Sequence, residues 1–238
     1  MINESMVLEL DVPVVSVIKE ISVIDNRGII NQLYDGLVER GYNPLIVFFN
    51  NPDSNTIIKD DVLIIPEQLK TCDIPIIERV KALRNIIHMK VKEKAYNIIL
   101  TESFGGVFSV DERENLCFLN IEIIEALDPD YIIAHIMASD YLMPQELLHQ
   151  FELKTRRDID AVVMSDVFFD IVKYNEDQTK RYLSFSQKTI RTLTAKLSKL
   201  VSIPVFSYGE HRQMSIAIEE HLSVDIGDCR RLNDYDGF

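Results

Sequence analysis

Short apolar runs recur along the chain, separated by stretches long enough to hold a helix. Pro13-Val14-Val15-Ser16-Val17-Ile18 is the first and Pro44-Leu45-Ile46-Val47-Phe48-Phe49 the second, and between them Gly28 opens a helix-like segment ending at Arg40-Gly41. Further runs occupy residues 62–65, 97–100, 131–136, 160–164 and 203–206. They are rich in Ile and Val and mostly apolar at consecutive positions, as strands covered on both faces of a parallel sheet are. The intervening segments follow the helical period. Pro75 to Lys94 sets Ile76, Ile77, Val80, Leu83, Ile86 and Ile87 on one stripe, with Pro75 near the first turn and Lys90, Lys92 and Lys94 in the last. Pro144 suits a first helical position before Leu147, Leu148 and Phe151. Ile190, Leu193, Leu197 and Leu200 mark another helix, and Met214, Ile216, Ile218 and Leu222 the last. The alternation predicts an α/β fold: a doubly wound, mostly parallel sheet with helices on both faces and right-handed crossovers. Residues 1–11 read as an N-terminal extension, 50–60 and 108–116 as polar connections, and 223–238 as a polar C-terminal tail, all within a single domain.

Composition narrows the partners. Of the 238 residues 47% are hydrophobic, ample for one large core. There are 38 acidic and 25 basic residues, a net charge of −13, which opposes association with a phosphate backbone, so no nucleic acid partner is expected. No apolar stretch reaches 18 residues, and Met1-Ile2-Asn3-Glu4-Ser5 lacks the basic region and apolar run of a secretory signal, so neither a membrane span nor export is expected and the location is cytoplasmic. Cys72, Cys117 and Cys229 are widely spaced and form no Cys-x-x-Cys pair, which argues against a zinc knuckle or a disulfide framework.

In an open parallel sheet ligands bind beyond the carboxyl ends of the strands, so the residues following each run are where chemistry would sit. An eight-residue phosphate-binding loop after the first strand would span Ile21 to Gly28, with Asn26, Arg27 and Gly28 standing where Gly, Lys and Ser/Thr belong. This is a degenerate Walker A: the first glycine is Ile21, and the hydroxyl that would hold magnesium is absent at Gly28. After residues 97–100 comes Thr101-Glu102-Ser103-Phe104-Gly105-Gly106, read as a loop. Glu102 is the best candidate for a functional carboxylate, either coordinating magnesium from the end of a buried strand or serving as a loop or capping acid. Gly105 and Gly106 would admit close backbone approach to a ligand. His135, between Ala134 and Ile136, reads as a hydrogen-bonded core histidine, ahead of a third loop at residues 137–141. Asp166 is a candidate base-reading residue or else a cap before Val167-Phe168-Phe169. Glu210-His211-Arg212 reads as the exposed first turn of the last helix, Glu146-x-x-His149 as surface, and Lys154 with Arg156-Arg157 as a solvated helix end. No Gly-x-Ser-x-Gly, Gly-x-Gly-x-x-Gly or His-Glu-x-x-His motif occurs, and no metal-ligand set is identified.

Residues 96–107 resemble the strand, acid and paired-glycine loop of the dethiobiotin-synthetase branch of P-loop proteins. A broader resemblance, from Pro13 to Leu222, is to clostridial peptide maturation system proteins, companions of modified-peptide gene clusters. It rests on Gln32-Leu33, Gly41-Tyr42, Gly105-Gly106, Ala126-Leu127-Asp128-Pro129-Asp130 and Ile203-Pro204-Val205, with Arg27 where the family has lysine. The resemblances imply two functions. One is a weakly or non-catalytic accessory protein that binds a peptide-modifying enzyme or its precursor peptide. The other is an ATP- and magnesium-dependent enzyme in which Arg27 replaces the lysine and Glu102 holds the metal, although arginine's planar fork does not reproduce an ammonium's point contact. A nucleotide with magnesium is the cofactor the second implies, and a homodimer is compatible with either.

Overall fold

The computed structural model describes residues 9–21, 24–49, 61–70, 74–108, 124, 126–138, 144–177, 179 and 181–233. The strands are β1 (Val14–Ile21), β2 (Pro44–Phe48), β3 (Val62–Ile64), β4 (Ile98–Phe108), β5 (Tyr131–Ile136), β6 (Ala161–Met164), β7 (Val167–Phe169), β8 (Tyr182–Ser184) and β9 (Val205–Ser207). The helices are α1 (Arg27–Glu39), α2 (Ile76–Lys94), α3 (Pro144–Thr155), α4 (Ile171–Asp177), α5 (Gln187–Leu197) and α6 (His211–Asn233). Seven strands form one sheet in the order β3-β2-β4-β1-β5-β6-β9, with every neighbouring pair parallel. β7 and β8 form a separate antiparallel pair.

Strand order fixes where a ligand could bind. From β1 the chain winds outward through β2 and β3, returns to β4 beside β1, then crosses to β5 on the other flank and continues outward. The carboxyl end of β1 therefore lies where the winding reverses, the crevice that open α/β sheets use for ligands. Both faces of the sheet are covered. Val15, Val17, Ile98, Leu100, Tyr131 and Ile133 pack against Ile29, Ile30, Leu33 and Leu37 of α1 and Met214, Ile218 and Leu222 of α6. Leu83 and Ile87 of α2 cover the opposite face near β2. Phe151 of α3 and Ile190 and Leu197 of α5 cover it beyond β1. α1 ends as its sequence predicts: Gly41 adopts φ 89° while Tyr42 N donates to the Leu37 carbonyl.

Four differences from expectation have local causes. Ile76 and Ile77 are 46% and 55% exposed, because Arg79 takes the inward position in the first turn of α2 and donates from Nη2 to the Ile74 carbonyl. Leu200 and Ile216 are also exposed, the first lying past the end of α5 and the second off the stripe of Met214, Ile218 and Leu222. α6 runs on to Asn233, into the stretch read as a polar tail. β4 extends well past Leu100 because β1 continues beside it to Ile21 and offers a ladder. Among the described residues no helix is long and apolar enough to cross a membrane. Cys72, Cys117 and residues 139–141 lie outside the described residues, and Cys229 falls within α6.

Candidate functional site

The stretch expected to be a loop after Leu100 is strand, and this corrects the role assigned to its glycines. Val17 pairs with Glu102 and Lys19 with Gly106, so four residues of β4 advance against two of β1. A bulge of this kind leaves backbone groups out of register, and Ser103 meets them. Its Oγ accepts from Lys19 N at 3.2 Å and donates to the Gly105 carbonyl at 2.8 Å. Gly105 and Gly106 thus belong to a bulged ladder and not to a free loop.

Alternation along the strands then assembles a polar row. Val15, Val17, Leu100 and Ile133 face α1 and α6, and a step of two from each puts Lys19, Glu102 and His135 on the same face. All three are buried, and Lys19 and His135 are register partners. Burial pushes the Glu102 carboxyl up to about 7; the charges of Lys19 and Arg27 oppose that rise and Asp25 adds to it. Burial, with the charge of Lys19, holds His135 down at about 3, so its imidazole is neutral. His135 Nδ1 lies 2.7 Å from Asn26 Oδ1. Because the amide oxygen accepts, Nδ1 carries the hydrogen and Nε2 is left as a buried acceptor with no partner among the described residues. His135 is the core histidine the sequence indicates.

Above this row sits the start of α1. Asn26 is fully buried in αR geometry, and its side chain does not cap the helix; it turns inward, Nδ2 donating to the Val17 carbonyl at 3.0 Å. Asp25 takes the helix end instead, Oδ1 accepting from Arg27 N at 3.0 Å. Ile24 packs with Ile21, Met137 and Phe169. Gly28 is explained by Tyr208: a Cβ there would collide with the phenol oxygen and stand 3.2 Å from Cζ. Burial raises the Tyr208 pKa, and the charges of Asp166 and Asp25 raise it further. Asn26, Arg27, Gly28, Glu102 and Asp166 therefore gather toward the carboxyl end of β1, and Gly106, beside Lys19, lies nearer that end than Glu102, which pairs with Val17.

These residues do not fit a nucleotide phosphate with magnesium. A phosphate on a helix N-terminus needs its free N–H groups, and the Asp25 carboxylate already accepts one of them. The space over Gly28, where the metal-binding hydroxyl would extend, is filled by Tyr208. Lys19, buried in β1, is the cation that motif reading missed; its signal was a lysine one step past an apolar run and in that run's inward phase.

The remaining candidates have structural roles. Asp166 opens the β6–β7 turn, its carbonyl accepting from Phe185 N, and the cap of α4 is Asp170, whose Oδ1 accepts from Lys173 N. Glu210 accepts from Ser207 N at 2.6 Å, and Arg212 pairs with Glu39 at 3.2 Å on the surface. Glu146 accepts from Gln150 while His149 lies 4.0 Å from Glu152, so the carboxylate–histidine spacing makes no joint site. Arg157 reaches Asp128 at 2.8 Å and the Pro129 carbonyl. Among the described residues no cluster of His, Cys, Asp and Glu could hold a metal ion.

No protein-family model matches the sequence, and no curated protein matches it. A solved structure shares the fold. A DUF1611 family protein from Anabaena variabilis superposes with a TM-score of 0.59 at 9% identity, over 89% of this chain and 58% of that one. The chain thus spans little more than half the length of that protein. A hydrogenase maturation factor from Archaeoglobus fulgidus gives a TM-score of 0.46 at 9% identity over 88% and 89% of the two chains. An apo GTPase from Pyrococcus abyssi gives 0.47 at 10% over 88% and 97%. At these identities the likeness concerns the fold alone.

Proposed function

We propose that this chain is a partner-binding accessory protein of a peptide maturation system, built on a P-loop-like scaffold whose phosphate site is closed by its own side chains. The observation that carries this reading is the Asp25 carboxylate on the first amide of α1 with Tyr208 packed over Gly28. A carboxylate fixed at that helix end repels an incoming anion and competes for its donors. Asn26, in the last loop position before Arg27, is fully buried and turns its side chain inward to β1 and His135. The polar row beneath is buried, and its His135 is held by Asn26, as a structural support would be.

Calorimetric titration with ATP and with GTP, each with and without magnesium, tests the closed site. The expected result is no binding up to millimolar nucleotide. Magnesium-dependent binding that Arg27→Ala weakens about tenfold, roughly 1.4 kcal/mol, would overturn it in favour of the ATP-dependent enzyme. Co-expression with peptide-modifying enzymes and their precursor peptide, followed by size-exclusion chromatography, tests the role: a stable complex is expected, and elution of this chain alone throughout would count against it.

A further inference from the structure

Between Asp177 and Glu210 the chain carries six cations, Lys180, Arg181, Lys188, Arg191, Lys196 and Lys199, and no carboxylate, within a protein of net charge −13. Four of them lie on or just past α5. The buried side of that helix is Ile190, Thr194 and Leu197, and the opposite side is exposed at Lys188, Arg191, Thr192, Ala195, Lys196 and Lys199. An open depression of about 520 Å³ runs along those six residues. Among the described residues no carboxylate pairs with Lys188, Arg191 or Lys199. The Thr192 hydroxyl donates to the Lys188 carbonyl, which turns it back onto the helix. On so acidic a molecule the sign of this face is its distinguishing property.

We propose that the exposed face of α5 docks an acidic segment of a partner protein. The complementarity is geometric as well as electrical. Along the helix Lys188, Arg191 and Lys196 are separated by rises of about 4.5 and 7.5 Å. Alternate carboxylates of an extended segment recur about every 6.6 Å, between those two values, so such a segment can bring carboxylates within reach of successive long cationic side chains. A duplex or single-stranded nucleic acid extends past the strip and carries its further phosphates into the field of the remaining molecule, which is more negative than the whole, whereas a short acidic segment need reach no farther than the strip. For its biological role the inference rests on the partner-binding reading above. The two fail separately, since nucleotide titration reports on the end of β1 and the following test on α5.

The probe is a fluorescein-labelled octapeptide of alternating glutamate and serine, followed by anisotropy at low salt against the full chain. Saturable binding is expected, weakened by added salt and by at least about tenfold in Lys188→Glu/Arg191→Glu. The control, Lys92→Glu/Arg212→Glu, makes the same change in net charge at exposed sites elsewhere and should weaken binding by less than about twofold. The neutral pair Lys188→Gln/Arg191→Gln should fall between wild type and the reversal; it replaces the reversal should that variant fail to fold by circular dichroism. Absence of saturable binding, equal weakening by both reversals, or tighter binding to a single-stranded oligonucleotide or to anionic lipid vesicles would each overturn the proposal.

Discussion

Glu102 and His135 act on stability with opposite dependence on pH, and each should conceal the other in the native protein. Burial raises Glu102 from 4.5 to about 7, so between those values the folded chain keeps a proton that the unfolded chain has released. Alone, this makes stability fall as pH rises through that window. Burial lowers His135 from 6.5 to about 3, so between those values the unfolded chain holds a proton the folded chain refuses. Alone, this makes stability rise with pH. From pH 4.5 to 6.5 the two proton differences cancel. Glu102→Gln removes the first and leaves the second, a slope of one proton, about 1.4 kcal/mol per pH unit and about 3 kcal/mol across the window. Urea unfolding of both proteins at a series of pH values reads this directly as a difference in midpoints, since every other group titrates alike in the two chains. The variant should lose stability relative to wild type as the solution is acidified. Parallel curves would refute the reasoning, as would a His135 ring proton that titrates near 6.5 by NMR.

Asn26→Ala removes two buried hydrogen bonds, to Val17 and His135, and should cost about 3 kcal/mol in urea unfolding; a loss under about 1 kcal/mol would show that the loop re-pairs them. Gly28→Ala drives a methyl into Tyr208 and should lower the melting temperature by an amount worth about 1–3 kcal/mol, most of it recovered when Tyr208→Phe is added. Asp61 accepts from Tyr34 Oη at 2.7 Å and Tyr96 Oη at 2.9 Å, and these bonds hold its carboxyl below 3.8. Its contribution is present above that value and lost as pH falls through the folded one, so Asp61→Asn should flatten the acid limb of the stability curve. Arg212→Ala breaks an exposed pair with Glu39 and should change stability by less than about 0.5 kcal/mol.

What the sequence revealed depended on how one-sided each residue's surroundings are. Tyr131–Ile136 is a strand at the predicted bounds because apolar neighbours on both faces leave no alternative. The mostly parallel, doubly wound sheet follows from the same logic repeated. Residues 101–106 read as a loop because Glu, Ser and paired Gly favour turns; only the length of β1 and the reach of Ser103 Oγ make them strand, and both are tertiary facts. β7 and β8, three residues each, carry too little periodicity to find. Asn26, Arg27 and Gly28 were singled out by their position in a motif. That Asn26 serves Val17 and His135, and that Gly28 accommodates Tyr208, required knowing which strands and helices meet there. Lys19 was legible, since the alternation that buries Val15 and Val17 also buries it, but directly after the run that ends at Ile18 it was taken for the start of a loop.

The mismatch between β1 and β4 is two residues, an even number, and inward and outward positions stay in step on either side of it. Removing one residue from 103–105 would reverse the facing of everything that follows to Phe108, sending the apolar side chain of Val107 off its cluster. Removing two would bring the strands flush and cost only what Ser103 now supplies. This segment can therefore lengthen or shorten in pairs, and variation in its size among natural or engineered versions of the fold should appear in steps of two.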